Sequence, residues 1–399
     1  MNPTVDSNKI SLLSVMGAHG TELLSRLAEH RLDSFPPTAL KTFRKLGPAE
    51  AASLLGIAES YLRSLAAARD GGTSKASSRR SYSLEDLQSF RREIAAKSRT
   101  PLRYLPNRTG NEHLQIISVV NFKGGSAKTT TAAHLAQYLA LRGYRVLAID
   151  LDPQASFTTM FGVAPEADVK PGQSLYGAIR YTDERQPLSA IIRKTYIPGL
   201  DLVPAALELM EFEHETPRAL MDSDGSNPVL FARITQAIME VQDQYDVAII
   251  DCPPQLGYLT LSALVAATSL LITVHPEMLD VMSMAQFITM LTDLITVIAR
   301  AAGIDPPCDW IRYLLTRFES SDGPQTQMAA FLRSVFGSYV LTNPTLKSTA
   351  ISDAGLTSQT IYEIERQQFS RGTYDRAVET VNAVNAEIEQ LIHAAWGRK

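Results

Sequence analysis

Residues 114–142 read LQIISVVNFKGGSAKTTTAAHLAQYLALR. A β-branched apolar run ends at Asn121 and helical spacing begins at Lys128, which predicts a strand and a helix joined by a short loop. In that loop Gly124 and Gly125 allow a tight backbone turn. Successive N–H groups at the helix N-terminus then converge on one point and suit phosphate oxygens. Lys128 is the residue to neutralise β- and γ-phosphates, the Thr129 hydroxyl suits Mg²⁺, and Thr130 offers a second hydroxyl for a more internal phosphate. Lys123, Ser126 and Ala127 complete the cradle.

Beyond this element, short β-branched runs alternate with long amphipathic stretches, the pattern of an α/β fold with a mostly parallel sheet and helices on both faces. Strands are expected at 115–121, 145–150, 200–204, 246–251, 270–275, 311–317 and 338–341. Helices are expected at 128–142, 229–244, 256–268, 283–302, 325–336 and 374–395. The strand in YRVLAIDLDPQAS ends in Asp150 and Asp152, which share one face of an extended chain. Another, YDVAIIDCPPQLG, closes on Asp251. Carboxylates at the C-terminal ends of parallel strands point into the crevice where such folds bind ligands. Asp251 suits Mg²⁺ through water, as at the end of an apolar strand in a phosphoryl-transfer site.

The loop departs from G-x-x-x-x-G-K-[ST], because Phe122 and Ala127 stand where that pattern has glycines. It resembles instead the deviant Walker A of the ParA/MinD family, K-G-G-x-x-K-T-[ST]. An alanine with helical φ/ψ at 127 is sterically mild. The run DLDPQ resembles the family's second signature. The resemblance implies a weak Mg²⁺-dependent ATPase whose cofactors are ATP and Mg²⁺. It implies that Lys123 reaches across a homodimer to the partner's nucleotide, that Asp152 orients the attacking water, and that Asp150 supports the metal and its loop. VHPEMLDVMSM resembles the segment that continues the family's site, with Pro276 near the nucleotide.

The 399 residues suggest more than one domain. We expect a helical arm at 1–35 that could serve dimerisation, a winged helix-turn-helix at 36–100, a linker at 101–113, and the ATPase domain at 114–399. Residues 47–69, GPAEAASLLGIAESYLRSLAAAR, have Pro48 at a first helical position and Gly56 at a sharp turn. The second helix of such a pair enters the major groove with its N-terminal side chains, here Ser60, Tyr61 and Arg63. GGTSKASSRR then supplies a wing bearing Lys75, Arg79 and Arg80, followed by a helix capped by Ser83 with Asp86 at the box position. The arrangement is similar to MerR-like winged modules and, with the ATPase motifs, to the N-terminal extension of large plasmid partition proteins.

Charge agrees with a polyanion partner for this N-terminal part. Residues 1–114 carry 17 Lys/Arg against 11 Asp/Glu, and the rest 21 against 31. Two cysteines cannot build a disulfide framework or a Cys-rich metal site. No run of about 18 apolar residues is evident, nor a secretory signal, so a cytoplasmic, nucleoid-associated protein with no membrane contact is expected. The stretch 345–384 resembles the family region that holds DNA without regard to sequence, with Lys347, Arg371 and Arg376 as candidates. The implied partners are operator DNA, non-specific DNA and a ParB-type centromere-binding protein. Two other readings are a MinD-like membrane-associated regulator and a transcription factor with a vestigial ATPase site.

Overall fold

The computed structural model describes residues 12–34, 41–69, 81–121, 123–222, 231–302 and 308–398. It divides into two units, Met1–Thr42 and Phe43–Lys399. The first holds α1 (Leu12–Ser34), one continuous helix on which Met16 and Leu23 are exposed.

The second unit opens with a helix pair. Helix α2 (Pro48–Leu55) ends at Gly56, whose left-handed φ of 66° reverses the chain into α3 (Glu59–Arg69). Leu62, Leu65 and Ala66 turn inward while Ser60, Tyr61, Arg63 and Ser64 face outward. Leu46 and Tyr82 form an antiparallel bridge on either side of this pair. Helix α4 (Leu84–Lys97) starts with the expected box, Ser83 Oγ accepting from Asp86 N and Asp86 from Ser83 N. The wing residues Lys75, Arg79 and Arg80 lie outside the described residues, as does Phe122.

Residues 101–113, expected as a linker, are tied down along their length. Asp246 accepts from the Asn107 side chain (2.8 Å) and from Arg108 N (2.9 Å), and Arg398 donates to the carbonyls of Pro106 and Asn107. Arg91 of α4, 2% exposed, donates to the carbonyls of Leu54, Tyr104 and Leu141. Leu141 belongs to α5 (Lys128–Arg142), so one guanidinium links the helix pair to the far end of the helix that follows the glycine loop.

The sheet has seven strands: β1 Gln115–Val120, β2 Val146–Asp150, β3 Arg193–Lys194, β4 Leu200–Val203, β5 Val247–Asp251, β6 Ser269–Val274 and β7 Trp310–Leu315. Their order is β3-β4-β2-β5-β1-β6-β7, parallel throughout except for β3. Central strands such as QIISVV and VLAID are buried on both faces, which is why they read as unbroken apolar runs. Alternate residues feed two cores. Ile117, Val119, Ala148 and Ile249 pack with α5 and the helix pair on one face, and Ile116, Val120, Ile149 and Ile250 pack beneath Tyr258–Ala266 on the other.

Two expectations are corrected, and two elements appear that the sequence did not suggest. Residues 338–341 form no strand: Gly337 at φ 55° opens a 3₁₀ turn, and Val340 makes only one bridge to Tyr313. The two-residue β3 was too short to show a period, and the helix Leu209–Asp222 was hidden by Pro217 within it. A stretch of bilayer length does exist, Met278–Val297, within α6 (Met278–Ala302). Val281, Met284, Phe287 and Leu291 are buried in the second core, so α6 has one face committed to the protein interior.

Candidate functional site

The C-terminal ends of β1, β2 and β5 open onto a cleft of about 690 Å³. Gly124, Gly125, Ala127, Lys128, Thr129, Thr130 and Asp152 all line it. Its floor is fixed from three strands. Asn121, just past β1, donates to Thr273 O (2.6 Å) and accepts from Lys123 N (3.0 Å). Thr273 of β6 donates to Ser126 Oγ (3.1 Å), and Thr316, just past β7, donates to Ser126 O (3.1 Å). Ser126 is thus buried under the loop, holding it in place rather than facing the cleft.

Gly125 takes φ 78° and Ala127 φ 65°. Ala127 is therefore left-handed and not helical as expected, and this is the position where a glycine would carry no Cβ penalty. Lys128 follows as the first residue of α5. It is 7% exposed, and its Nζ donates to Lys123 O (3.2 Å). Burial holds its ammonium below the usual lysine range, against the opposing charge of Asp251.

Asp150 and Asp251 are register partners on adjacent parallel strands. Both are fully buried, and burial raises both above the usual carboxylate range; for Asp251 the charge of Asp150 adds to it. Their engagements differ. Asp150 accepts from Asp152 N (3.1 Å), Thr158 N (2.7 Å) and Thr158 Oγ1 (2.7 Å), so its oxygens organise the loop after β2. Among the described residues neither oxygen of Asp251 has a partner at hydrogen-bond geometry, although the nearby Thr129 hydroxyl opposes the upward shift of its carboxyl. A buried carboxylate left in that state is costly unless a cation completes it. Asp152 is half-buried, accepts from Gln154 N (2.9 Å) and looks into the cleft. Cys252 is buried with no exposed face.

The remaining candidates separate. Lys123 lies outside the cleft lining, and its ammonium pairs with Asp280 in the first turn of α6. Pro276 is buried next to His275 and does not line the cleft. Lys347 does line it, paired with Glu319 (2.7 Å). Arg371 is the first residue of α7 (Arg371–Ala395), with its side chain outside the described residues, and Arg376 is exposed on the same helix. In the helix pair Tyr61 is 41% exposed and Arg63 pairs with Glu59 one turn back. Sequence reasoning did not single out Asn121, Thr273, Asp280, Thr316 or Arg317. Asn121 and Asp280 lay in segments flagged in advance for the site, whereas Thr273, Thr316 and Arg317 are single residues with no local pattern.

Comparison with known proteins agrees with this geometry. The family model described as "AAA domain" matches residues 114–301. The "Putative replication protein A" of Rhizobium rhizogenes is 57% identical over 391 residues, covering 98% of this chain and 96% of that one. The "Chromosome partitioning protein ParA" of Caulobacter vibrioides is 30% identical over 242 residues, covering 60% of this chain and 84% of its own length. A solved structure described as "Partition Protein" superposes with a TM-score of 0.64 at 18% identity, over 94% of this chain and 98% of that one, a likeness of fold. With identity at these levels over most of both relatives, and with the glycine loop, the paired carboxylates and the parallel sheet in register, the chain belongs to the ParA family of deviant Walker A P-loop ATPases.

Proposed function

We propose that this chain is a Mg²⁺-dependent ATPase that segregates plasmid or chromosomal DNA, switching between DNA-bound states with its nucleotide. The observation that carries the reading is the orphaned, buried carboxylate of Asp251 beside its register partner Asp150, at the cleft entered by Lys128, Thr129 and Thr130. These residues fit a nucleotide triphosphate with its metal. Thr129 and Asp251 would hold Mg²⁺, with Asp150 behind them, and the ion would neutralise charge on the phosphoryl oxygens.

The chain's own groups then have distinct tasks. Backbone N–H groups of the loop and the α5 N-terminus receive phosphate oxygens, and Lys128, desolvated in the wall, supplies their fixed counter-charge. Asp152, half-buried in the cleft, orients the attacking water. Phosphoryl transfer needs little covalent help, so positioning and electrostatics are the whole of the contribution. Lys123 completes the site of a second copy in an ATP-bound homodimer.

The helix pair with Ser60, Tyr61 and Arg63, together with Lys75, Arg79 and Arg80, would read an operator. Lys347, Arg371 and Arg376 would hold DNA of any sequence in the ATP state. A ParB-type partner would stimulate hydrolysis and act with the N-terminal module in autorepression. The support is the outward face of α3, its capped successor helix and the family membership. The test is binding of the purified chain to its own upstream DNA and to random DNA, with no nucleotide, ADP or ATP, across a salt series. Preference for the upstream fragment with ADP and for random DNA with ATP supports the switch; binding of neither fragment in any state defeats it.

A further inference from the structure

Where β7 ends, the chain turns back beside the glycine loop. Thr316 is pinned to Ser126, and the next residue, Arg317, takes φ 53°, a left-handed conformation that residues with a Cβ avoid. Among the described residues the non-glycine positions with positive φ are Ala127, Ala155, Arg317 and Ser358, and Ala127 lies in that same loop. Backbone strain of this kind persists where surrounding structure enforces it, and it collects at ligand sites.

The side chain is exposed and lines the cleft with Lys128 and Asp152. Its one hydrogen bond among the described residues runs from Nη1 to Gly125 O (3.3 Å), and it makes no ion pair with any of them. A guanidinium has five N–H donors in a planar fork that matches a phosphate. A single long bond to a carbonyl leaves most of that capacity facing the cleft.

The contact is on a particular limb of the loop. Lys128 Nζ bonds to Lys123 O, so the 123–125 limb lies over the ammonium assigned to the β- and γ-phosphates, while Thr130 stands at the other end of the loop. We propose that Arg317 is a phosphate-binding residue of the same subunit, which contacts the terminal phosphates and so distinguishes a nucleoside triphosphate from a diphosphate. The proposal rests on the ATPase reading given above.

The test is titration of the full-length chain, its Arg317→Ala and Arg317→Lys variants and Lys128→Ala with fluorescent ATP and ADP analogues in the presence of Mg²⁺. Arg317→Ala should lose about tenfold or more in ATP affinity, as expected for a charge-assisted phosphate contact, while ADP affinity changes by less than about twofold. Arg317→Lys should fall between, since it keeps the charge and loses the fork, and it guards against a folding defect in the alanine variant. Equal loss for both nucleotides would mean that Arg317 only staples the loop, and no loss for either would assign it to something other than the nucleotide; each overturns the proposal. The two failures are distinguishable. If the wild-type chain binds neither analogue, the ATPase reading falls and this inference with it. If wild type binds, Lys128→Ala does not, and Arg317→Ala keeps the wild-type ATP to ADP ratio, this inference alone falls.

Discussion

The ammonium of Lys123 is held within its own subunit by Asp280, a carboxylate whose side chain is only 9% exposed and whose other oxygen lies 3.3 Å from His275 Nδ1. The lysine that the family resemblance sends across a dimer must therefore leave a partner first. Lys123 itself is 42% exposed, so the pair is worth no more than about 1 kcal/mol. Removing it should favour the released state by the corresponding factor of roughly three to five. Sedimentation velocity across an ATP titration should thus give Asp280→Asn a dimerisation midpoint at lower ATP than wild type, whereas Lys123→Ala should fail to dimerise. An unchanged midpoint in Asp280→Asn would mean that the pair does not restrain the lysine.

Ala127 carries a left-handed backbone at the mouth of the site. Replacing it by glycine removes a Cβ conflict of about 1–2 kcal/mol and adds unfolded-state entropy of about 0.4–1 kcal/mol. The expected net effect is stabilisation by roughly 0.5–1 kcal/mol, read as a higher urea midpoint at constant slope. A lower midpoint would show that the loop relaxes around alanine without strain.

The glycine loop was legible in the sequence because its chemistry is local: two glycines and two lysines at fixed spacing between a strand and a helix. Asp150 and Asp251 were legible because a buried parallel strand shows as an apolar run with a polar end. Asp280 and Arg317 come to the loop from other strand ends through crossovers; Asp280 sits in a segment that marks the site without marking the residue, and nothing in the neighbours of Arg317 marks it. The conformation at Ala127 is set by residues of two strand ends, Thr273 and Thr316, that pin Ser126, not by alanine's own preference. The place of Lys347 in the wall of the cleft is likewise a product of the fold and leaves no mark in the residues around it.

Arg91 offers a test of how the helix pair is joined to the ATPase core. It is buried, and its three hydrogen bonds go to carbonyls on α2, on the segment after α4 and on α5. Burial lowers its guanidinium to about 10, so it is charged at neutral pH. Arg91→Met leaves those carbonyls without donors and should cost about 2–4 kcal/mol in stability. Limited proteolysis should then cut the N-terminal part while residues 114–398 resist. Uniform cleavage, or stability equal to wild type, would count against Arg91 as the joint.

His134 fixes the sign of a pH effect. It lies one turn past the loop on α5, with Nδ1 bonded to Thr130 O (2.6 Å), while Nε2 accepts from Ile361 N (3.1 Å). The ring is neutral in this arrangement, because an imidazolium has no acceptor for Ile361. Burial lowers its pKa below the usual histidine value, with the Thr130 carbonyl and Glu363 opposing. In the unfolded chain the same group titrates near 6.5. Below that pH the unfolded state takes up a proton that the folded state refuses, so stability present above about pH 6.5 drains as pH falls, by at most about 1.4 kcal/mol per pH unit until the folded ring itself protonates. His393 also has a lowered pKa, from burial first, and adds to the wild-type slope, so the informative quantity is a difference. Urea unfolding of wild type and His134→Gln between pH 7.5 and 5.5 should give curves that converge as pH drops, since glutamine offers a donor and an acceptor without titrating. Parallel curves would mean that the buried ring binds its proton as readily in the folded chain as in the unfolded one.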